Sequence, residues 1–146
     1  GRTGEGMTAA MRAYGAKPVR VKRVDREGLE QTALMKEIEL RYPEAFLHLH
    51  HTPNGGYRGK AEAARLKAQG VKAGIPDLQL TMARGGYFGL FIEFKATVEP
   101  AAVSPSQHAC IGRLNGQGYL AVVCRGHFDA MECLRAYLAL PATVAA

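Results

Sequence analysis

The chain has 146 residues, of which 47% are hydrophobic and 22% charged, proportions that suit one domain and exclude a fibrous or wholly disordered chain. No run approaches the ~20 apolar residues that cross a bilayer, and the first residues lack the apolar core of a signal peptide. The formal net charge of +6 points to an anionic partner and is silent about fold.

The three cysteines (Cys110, Cys124, Cys133) include no pair spaced two apart, which excludes a disulfide framework or a four-cysteine zinc site. A reduced, cytoplasmic compartment is expected. The charge is uneven. Residues 1–24 hold six Lys or Arg against Glu5, and residues 54–72 hold five against Glu62. Between them, residues 25–53 carry three basic and six acidic side chains, and the rest of the chain balances.

Gly1–Gly6 reads as added residues ahead of a natural start at Met7. Residues 1–24 read as a flexible basic arm that orders on a partner. Asp25 is the expected N-cap of a helix over Arg26–Arg41. There Leu29, Ala33, Leu34, Ile38 and Leu40 recur mostly at three or four, and Tyr42-Pro43 ends the helix. Phe46–His50 alternates and reads as a strand, followed by a Pro-Asn-Gly-Gly turn or loop at residues 53–56. Lys60–Gln69 reads as a short basic helix closed by Gly70. Residues 73–76 read as a loop.

Asp77–Met82 and Tyr87–Lys95 read as two strands of a hairpin turning at Arg84-Gly85-Gly86. Ser104, Pro105 and Gln107 take the N-cap, N1 and N3 positions of a helix that runs to about Asn115 and ends at Gly116 or Gly118. Tyr119–Cys124 is a continuous apolar run and reads as a buried strand. Asp129–Leu140, or a start one turn earlier, closes the fold as a helix with Met131, Leu134, Tyr137 and Leu138 on one face. Residues 25–141 thus form the domain, and 142–146 a tail. The order predicts an α/β fold with a mixed central sheet flanked by helices: an antiparallel hairpin plus a helical crossover into Tyr119–Cys124.

The chemistry concentrates in Ile75-Pro76-Asp77 and Ile92-Glu93-Phe94-Lys95. Glu93 and Lys95 are two apart on a strand and share a face. A hairpin turning about Gly85 sets Asp77 opposite Glu93. Two adjacent carboxylates repel unless a cation lies between them. Oxygen donors with open positions favour Mg²⁺ or Mn²⁺, with the Phe94 carbonyl as a further ligand. Such an ion acidifies a bound water and polarises a phosphodiester. Lys95 orients the nucleophile or stabilises the pentacovalent oxyanion. The plainer reading is a carboxylate–lysine pair on an ordinary hairpin.

In order and spacing, Glu27-Gly28-Leu29-Glu30-Gln31, Pro53-Asn54-Gly55-Gly56, Arg58, residues 64–78, residues 84–95, Ser104–Gln107 and Gly118-Tyr119 resemble the VRR-NUC (virus-type replication-repair nuclease) domain of the PD-(D/E)xK nuclease superfamily. The resemblance covers about residues 27–140. It implies a restriction-endonuclease-like core and a metal-dependent, structure-specific DNA endonuclease. The stand-alone viral and bacterial members, which this chain resembles, are similar to Holliday-junction resolvases that act as dimers. By resemblance Asp77, Glu93, Lys95, Glu27 and Gln107 are the site residues, with Asp77, Glu93, Phe94 (through its carbonyl) and Glu27 on Mg²⁺ or Mn²⁺. Glu30 lies one turn from Glu27 and is not separated from it by spacing; Glu27, four before Gln31, fits the family pattern better. The implied partners are branched DNA and a second copy of the chain, in a bacterial or phage-encoded setting.

The alternatives are a flap or other branched-DNA nuclease, a catalytically silent DNA-binding module on the same fold, and a structural domain with a basic tail. Several residues have two readings. Gln107 also completes a capping box, and Glu27 and Glu30 also suit a helix's first turn. His48, His50 and His51 read as exposed or DNA-facing rather than as metal ligands, and His108 and His127 have no evident partner. Asn54, Arg58, Lys60, Arg65, Lys67 and Lys72 are the expected DNA contacts, since cations close to a catalytic aspartate meet phosphate. Tyr57 and Tyr87 are candidates for stacking on a splayed base.

Overall fold

A computed structural model describes residues 24–53 and 59–144. The basic arm up to Arg23, and Asn54 and Arg58 among the expected DNA contacts, lie outside the described residues. In chain order the elements are α1 (Arg26–Arg41), α2 (Pro43–Leu47), β1 (Leu49–His51), α3 (Lys60–Ala68), β2 (Leu78–Leu80), β3 (Leu90–Lys95), α4 (Pro105–Gly116), β4 (Leu120–Arg125) and α5 (His127–Leu138). The sheet runs β1-β2-β3-β4. β1 with β2 and β2 with β3 are antiparallel, and β3 with β4 is parallel. The parallel pair requires a crossover, which α4 supplies. The expected α/β fold with a mixed sheet flanked by helices is what forms.

α1 starts where the sequence places it, because the Asp25 carboxylate accepts from the Gly28 N–H at 2.9 Å. Its buried face, Leu34 and Ile38, joins Leu78, Leu80, Ile92 and Phe94 of the sheet and Leu134 and Tyr137 of α5 in one core. All six residues of β3 are buried, so this is the central strand. β4 is half-buried and covered by α4 and α5. Among the described residues no helix is long and apolar enough to cross a membrane.

The expected strand over Phe46–His50 is replaced by a helix and a shorter strand. Pro43 sits at the N1 position of α2, where its fixed φ favours a helical turn and its missing N–H costs nothing. Phe46 and Leu47 therefore finish a helix, His48 caps it, and pairing begins at Leu49. β4 runs one residue later than expected, Leu120–Arg125, because Gly118, at φ +93°, is still in the turn after α4. α5 runs His127–Leu138, starting between its two expected positions and ending two residues before the expected Leu140. α3 ends at Ala68, and Gly70, at φ +105°, closes it: the Gly70 N–H reaches the Lys67 carbonyl and the Val71 N–H the Leu66 carbonyl.

The hairpin is shorter in its ladder than expected, but its register is the expected one. Leu78 faces Ile92, Gln79 faces Phe91 and Leu80 faces Leu90, which extrapolates to Asp77 against Glu93. The tip is a two-residue turn rather than one centred on Gly85. Gly85 and Gly86 are at φ +57° and +86°, and Arg84 bridges Tyr87. The incoming strand compensates with one extra residue before the ladder begins, as a bulge does. Residues 82–84 leave the sheet because they pair elsewhere: Arg84 bridges Ala142, and the Thr143 N–H donates to the Ala83 carbonyl. The start of the expected tail is thus fastened to the turn as far as Thr143.

Candidate active site

Three elements deliver the site. Pro76-Asp77 enters β2 at its N-terminal end, β3 carries Glu93 and Lys95 on one face, and the first turn of α4 carries Gln107. The Phe94 N–H donates to Asp77 Oδ2 at 2.7 Å, which fixes the aspartate against β3. The N–H and C=O of a strand residue leave by the same edge, so the Phe94 carbonyl emerges on the Asp77 side too.

Glu93 and Lys95 are 2% and 4% exposed, a rare degree of burial for either residue type. Lys95 Nζ lies 3.4 Å from Glu93 Oε1 and 3.3 Å from Gln107 Oε1. Gln107 Nε2 donates to Glu93 Oε1 at 2.9 Å. The capping box is real as well: the Gln107 N–H donates to Ser104 Oγ, and Gln107 Oε1 accepts from the Ser104 N–H at 2.8 Å. The two readings of Gln107 are therefore one arrangement. The cap holds the amide in the orientation that meets Glu93 and Lys95.

One atom is left over. Glu93 Oε2 is buried and meets no hydrogen-bond donor. The Asp77 carboxyl lies within hydrogen-bonding reach of the Glu93 carboxyl. Burial first, and then the Asp77 charge, push the Glu93 carboxyl up to about 7 against the opposing pull of Lys95. Glu27 on α1 is raised for the same reasons in the same order, burial and then Asp77, again against Lys95. Glu30 points elsewhere: its carboxylate accepts from the Thr97 N–H at 2.9 Å and from the Thr97 hydroxyl. The structure thus separates the two glutamates that spacing left together, and Glu27 is the one beside the pair.

Among the described residues no three His, Cys, Asp or Glu side chains form a ready-made metal cage. What the site offers is a close carboxylate pair, an orphaned buried oxygen, a backbone carbonyl on the same side and a third acid approaching from α1. This donor set fits a hard cation that keeps open positions for water or substrate, and not a closed zinc site.

Lys60, Arg65, Lys67 and Lys72 are all exposed, and α3 buries none of its residues. Lys67 and Lys72 line a cleft of about 540 Å³ together with Val71, Ser104, Ser106 and Gln107. Gly74, at φ +90°, allows the close packing of its loop against α4, since a Cβ there would lie 2.4 Å from the Ser106 carbonyl oxygen. The cleft therefore adjoins the site through Gln107. Tyr87 is exposed at the far end of the hairpin and packs its ring toward Tyr137.

Sequence reasoning missed two contacts. His127 is paired, with Nε2 2.9 Å from Glu37 Oε2. His51 Nδ1 lies 2.8 Å from the Asp77 carbonyl oxygen and 3.0 Å from the Gln31 side-chain amide. Gln31 lies one turn after Glu27 on the same helix face, and that i, i+4 spacing is the signal that links it to the site.

Residues 25–128 match the family model of the VRR-NUC domain. A solved VRR_NUC domain protein is 34% identical, with a TM-score of 0.71, and the match covers 84% of this chain and 94% of that one. No curated protein matches.

Proposed function

The chain belongs to the VRR-NUC family, a family of nuclease type, and from that premise we propose that it is a metal-dependent, structure-specific endonuclease that hydrolyses phosphodiester bonds in branched DNA, four-way (Holliday) junctions above flaps and splayed arms. The observation that carries this reading is the carboxylate pair of half-buried Asp77 and buried Glu93, with its orphaned Glu93 oxygen. Such a pair needs a shared proton or a cation. Mg²⁺ or Mn²⁺ suits its oxygen donors, held by Asp77, Glu93 and the Phe94 carbonyl, with Glu27 closing from α1. When bound there, the ion supplies a Lewis acid for the phosphoryl oxygens and lowers the pKa of a water.

The chain's own residues do the rest. Lys95, held by Glu93 and Gln107, presents a fixed positive charge where negative charge builds on the phosphoryl group in an in-line attack. Gln107 holds the lysine and Glu93 in register and borders the cleft, so a strand lying against Lys67 and Lys72 passes the carboxylates on its way. The exposed cations of α3 meet phosphate and carry no sequence information, which suits recognition by shape.

The test is a panel of linear, flap, splayed-arm and four-way-junction DNA incubated with the full chain. Cleavage is expected with Mg²⁺ or Mn²⁺, strongest on the four-way junction, and absent in EDTA. Activity that persists in EDTA rules out the metal reading. Symmetric paired nicks in a four-way junction require two active sites. Light scattering of the chain with junction DNA is therefore expected to show a homodimer.

A further inference from the structure

His51 closes β1 and faces Leu78 across the ladder, one residue beyond Asp77. Its Nδ1 touches two partners on different elements, the Asp77 carbonyl oxygen at 2.8 Å and the Gln31 amide at 3.0 Å. A carbonyl oxygen can only accept, so Nδ1 carries the hydrogen. The Gln31 atom nearest the ring is Nε2, itself a donor; exchanging the amide oxygen and nitrogen, an assignment that the hydrogen-bond network decides, lets the oxygen share that hydrogen. A single N–H then ties the helix that carries Glu27 to the residue that carries Asp77. Glu27 and Gln31, four apart on α1, move together.

The Asp77 carbonyl already accepts from the Thr52 N–H at 2.8 Å, which is enough to keep β1 on β2. His51 is exposed and fills no core space. Its bond is therefore surplus to the ladder. What it adds is a tether between α1 and Asp77, beside the Glu30–Thr97 bonds and the Leu34 and Ile38 core contacts that seat the rest of the helix.

We propose that His51 and Gln31 are positioning residues that hold Glu27 at its working distance from Asp77, and so set the affinity of the cation site. The proposal rests on the metal reading above. Groups that orient metal ligands without touching the ion commonly change affinity or activity by about 10- to 100-fold when removed.

The test is calorimetric titration of Mn²⁺ into the DNA-free full chain, alongside thermal unfolding of each variant. His51→Ala and Gln31→Ala are each expected to weaken Mn²⁺ about tenfold with a small change in Tm. His51→Asn, whose side-chain N–H can replace the Nδ1 hydrogen, is expected to recover most of the loss. If His51 acts through Glu27, adding His51→Ala to Glu27→Gln weakens Mn²⁺ no further than Glu27→Gln alone. An unchanged Mn²⁺ affinity in His51→Ala overturns the proposal, and so does full additivity in the double variant. A fall in Tm without a fall in affinity reduces His51 to a structural residue and overturns it as well. Wild-type chain that binds no Mn²⁺ is a different failure, since it removes the metal reading itself.

Discussion

Lys95→Ala is expected to lower metal-supported cleavage of a four-way junction by at least ~100-fold, the usual cost of removing one fixed donor from a developing negative charge. DNA binding is expected to stay within about twofold, because only an interaction made in the transition state is lost. Lys95 is too buried to serve as a surface phosphate contact, and its neighbours explain why it must be lysine. The ammonium sits 3.4 Å from Glu93 Oε1 and 3.3 Å from Gln107 Oε1. A planar guanidinium with five donors has no room in a site only 4% exposed, so Lys95→Arg is expected not to rescue. Single-turnover cleavage together with filter binding separates the two quantities. Unchanged cleavage in the alanine variant would move the active site elsewhere. A wild-type chain that binds junctions but cuts none would be the silent module.

The parts of the fold that the sequence makes legible are those set by local chemistry. Asp25 and Ser104 fix two helix starts through their side chains, and Gly70 fixes a helix end through its positive φ. The hairpin register was legible for a different reason. Side chains alternate between the two buried faces of β3, and a slip of one residue would move Glu93 and Lys95 to the face that Ile92 and Phe94 fill. The register therefore survived an error in the shape of the turn.

What was not legible depended on contacts between distant segments. The pairing of Arg84 with Ala142 draws residues 82–84 out of the ladder, and no pattern near either residue announces it. Phe46 and Leu47 alternate with the residues that follow as a strand does, yet Pro43 three residues earlier wins, because a short helix at that point also lets Ala45 bury. The site shows the same division. Asp77, Glu93 and Lys95 could be placed together by counting along a hairpin. Choosing between Glu27 and Glu30 required Thr97, which lies 67 residues away from Glu30. His51 reads from the sequence only as an exposed or DNA-facing side chain, while its actual partners are a backbone carbonyl and an amide on α1, both distant in sequence.

Glu93→Gln is expected to shift stability and activity in opposite directions, and the stability change should depend on pH. Burial and Asp77 push the folded Glu93 carboxyl from 4.5 up to about 7. The folded state therefore holds this proton more tightly than the unfolded chain does. The stability it contributes is complete below about pH 4.5 and is lost as pH rises through about 7. In the metal-free protein at pH 8, Glu93 is a buried anion beside a second carboxyl. Glutamine keeps its oxygen on Gln107 Nε2 and Lys95 and turns its amide N–H toward Asp77, which satisfies the position that Glu93 Oε2 leaves orphaned. At pH 8 in EDTA the variant is expected to be more stable than wild type by on the order of 1–2 kcal/mol after screening, or about 5 °C in Tm. At pH 5 the native Glu93 is already mostly protonated, so the two proteins should melt together. Mn²⁺ at pH 8 should raise the Tm of wild type and leave the variant where it is, and the variant should not cleave. Equal stability of the two proteins at both pH values in EDTA would mean that Lys95 already neutralises Glu93. The carboxylate pair would then be complete without a cation, and the strongest physical reason for placing one there would be gone.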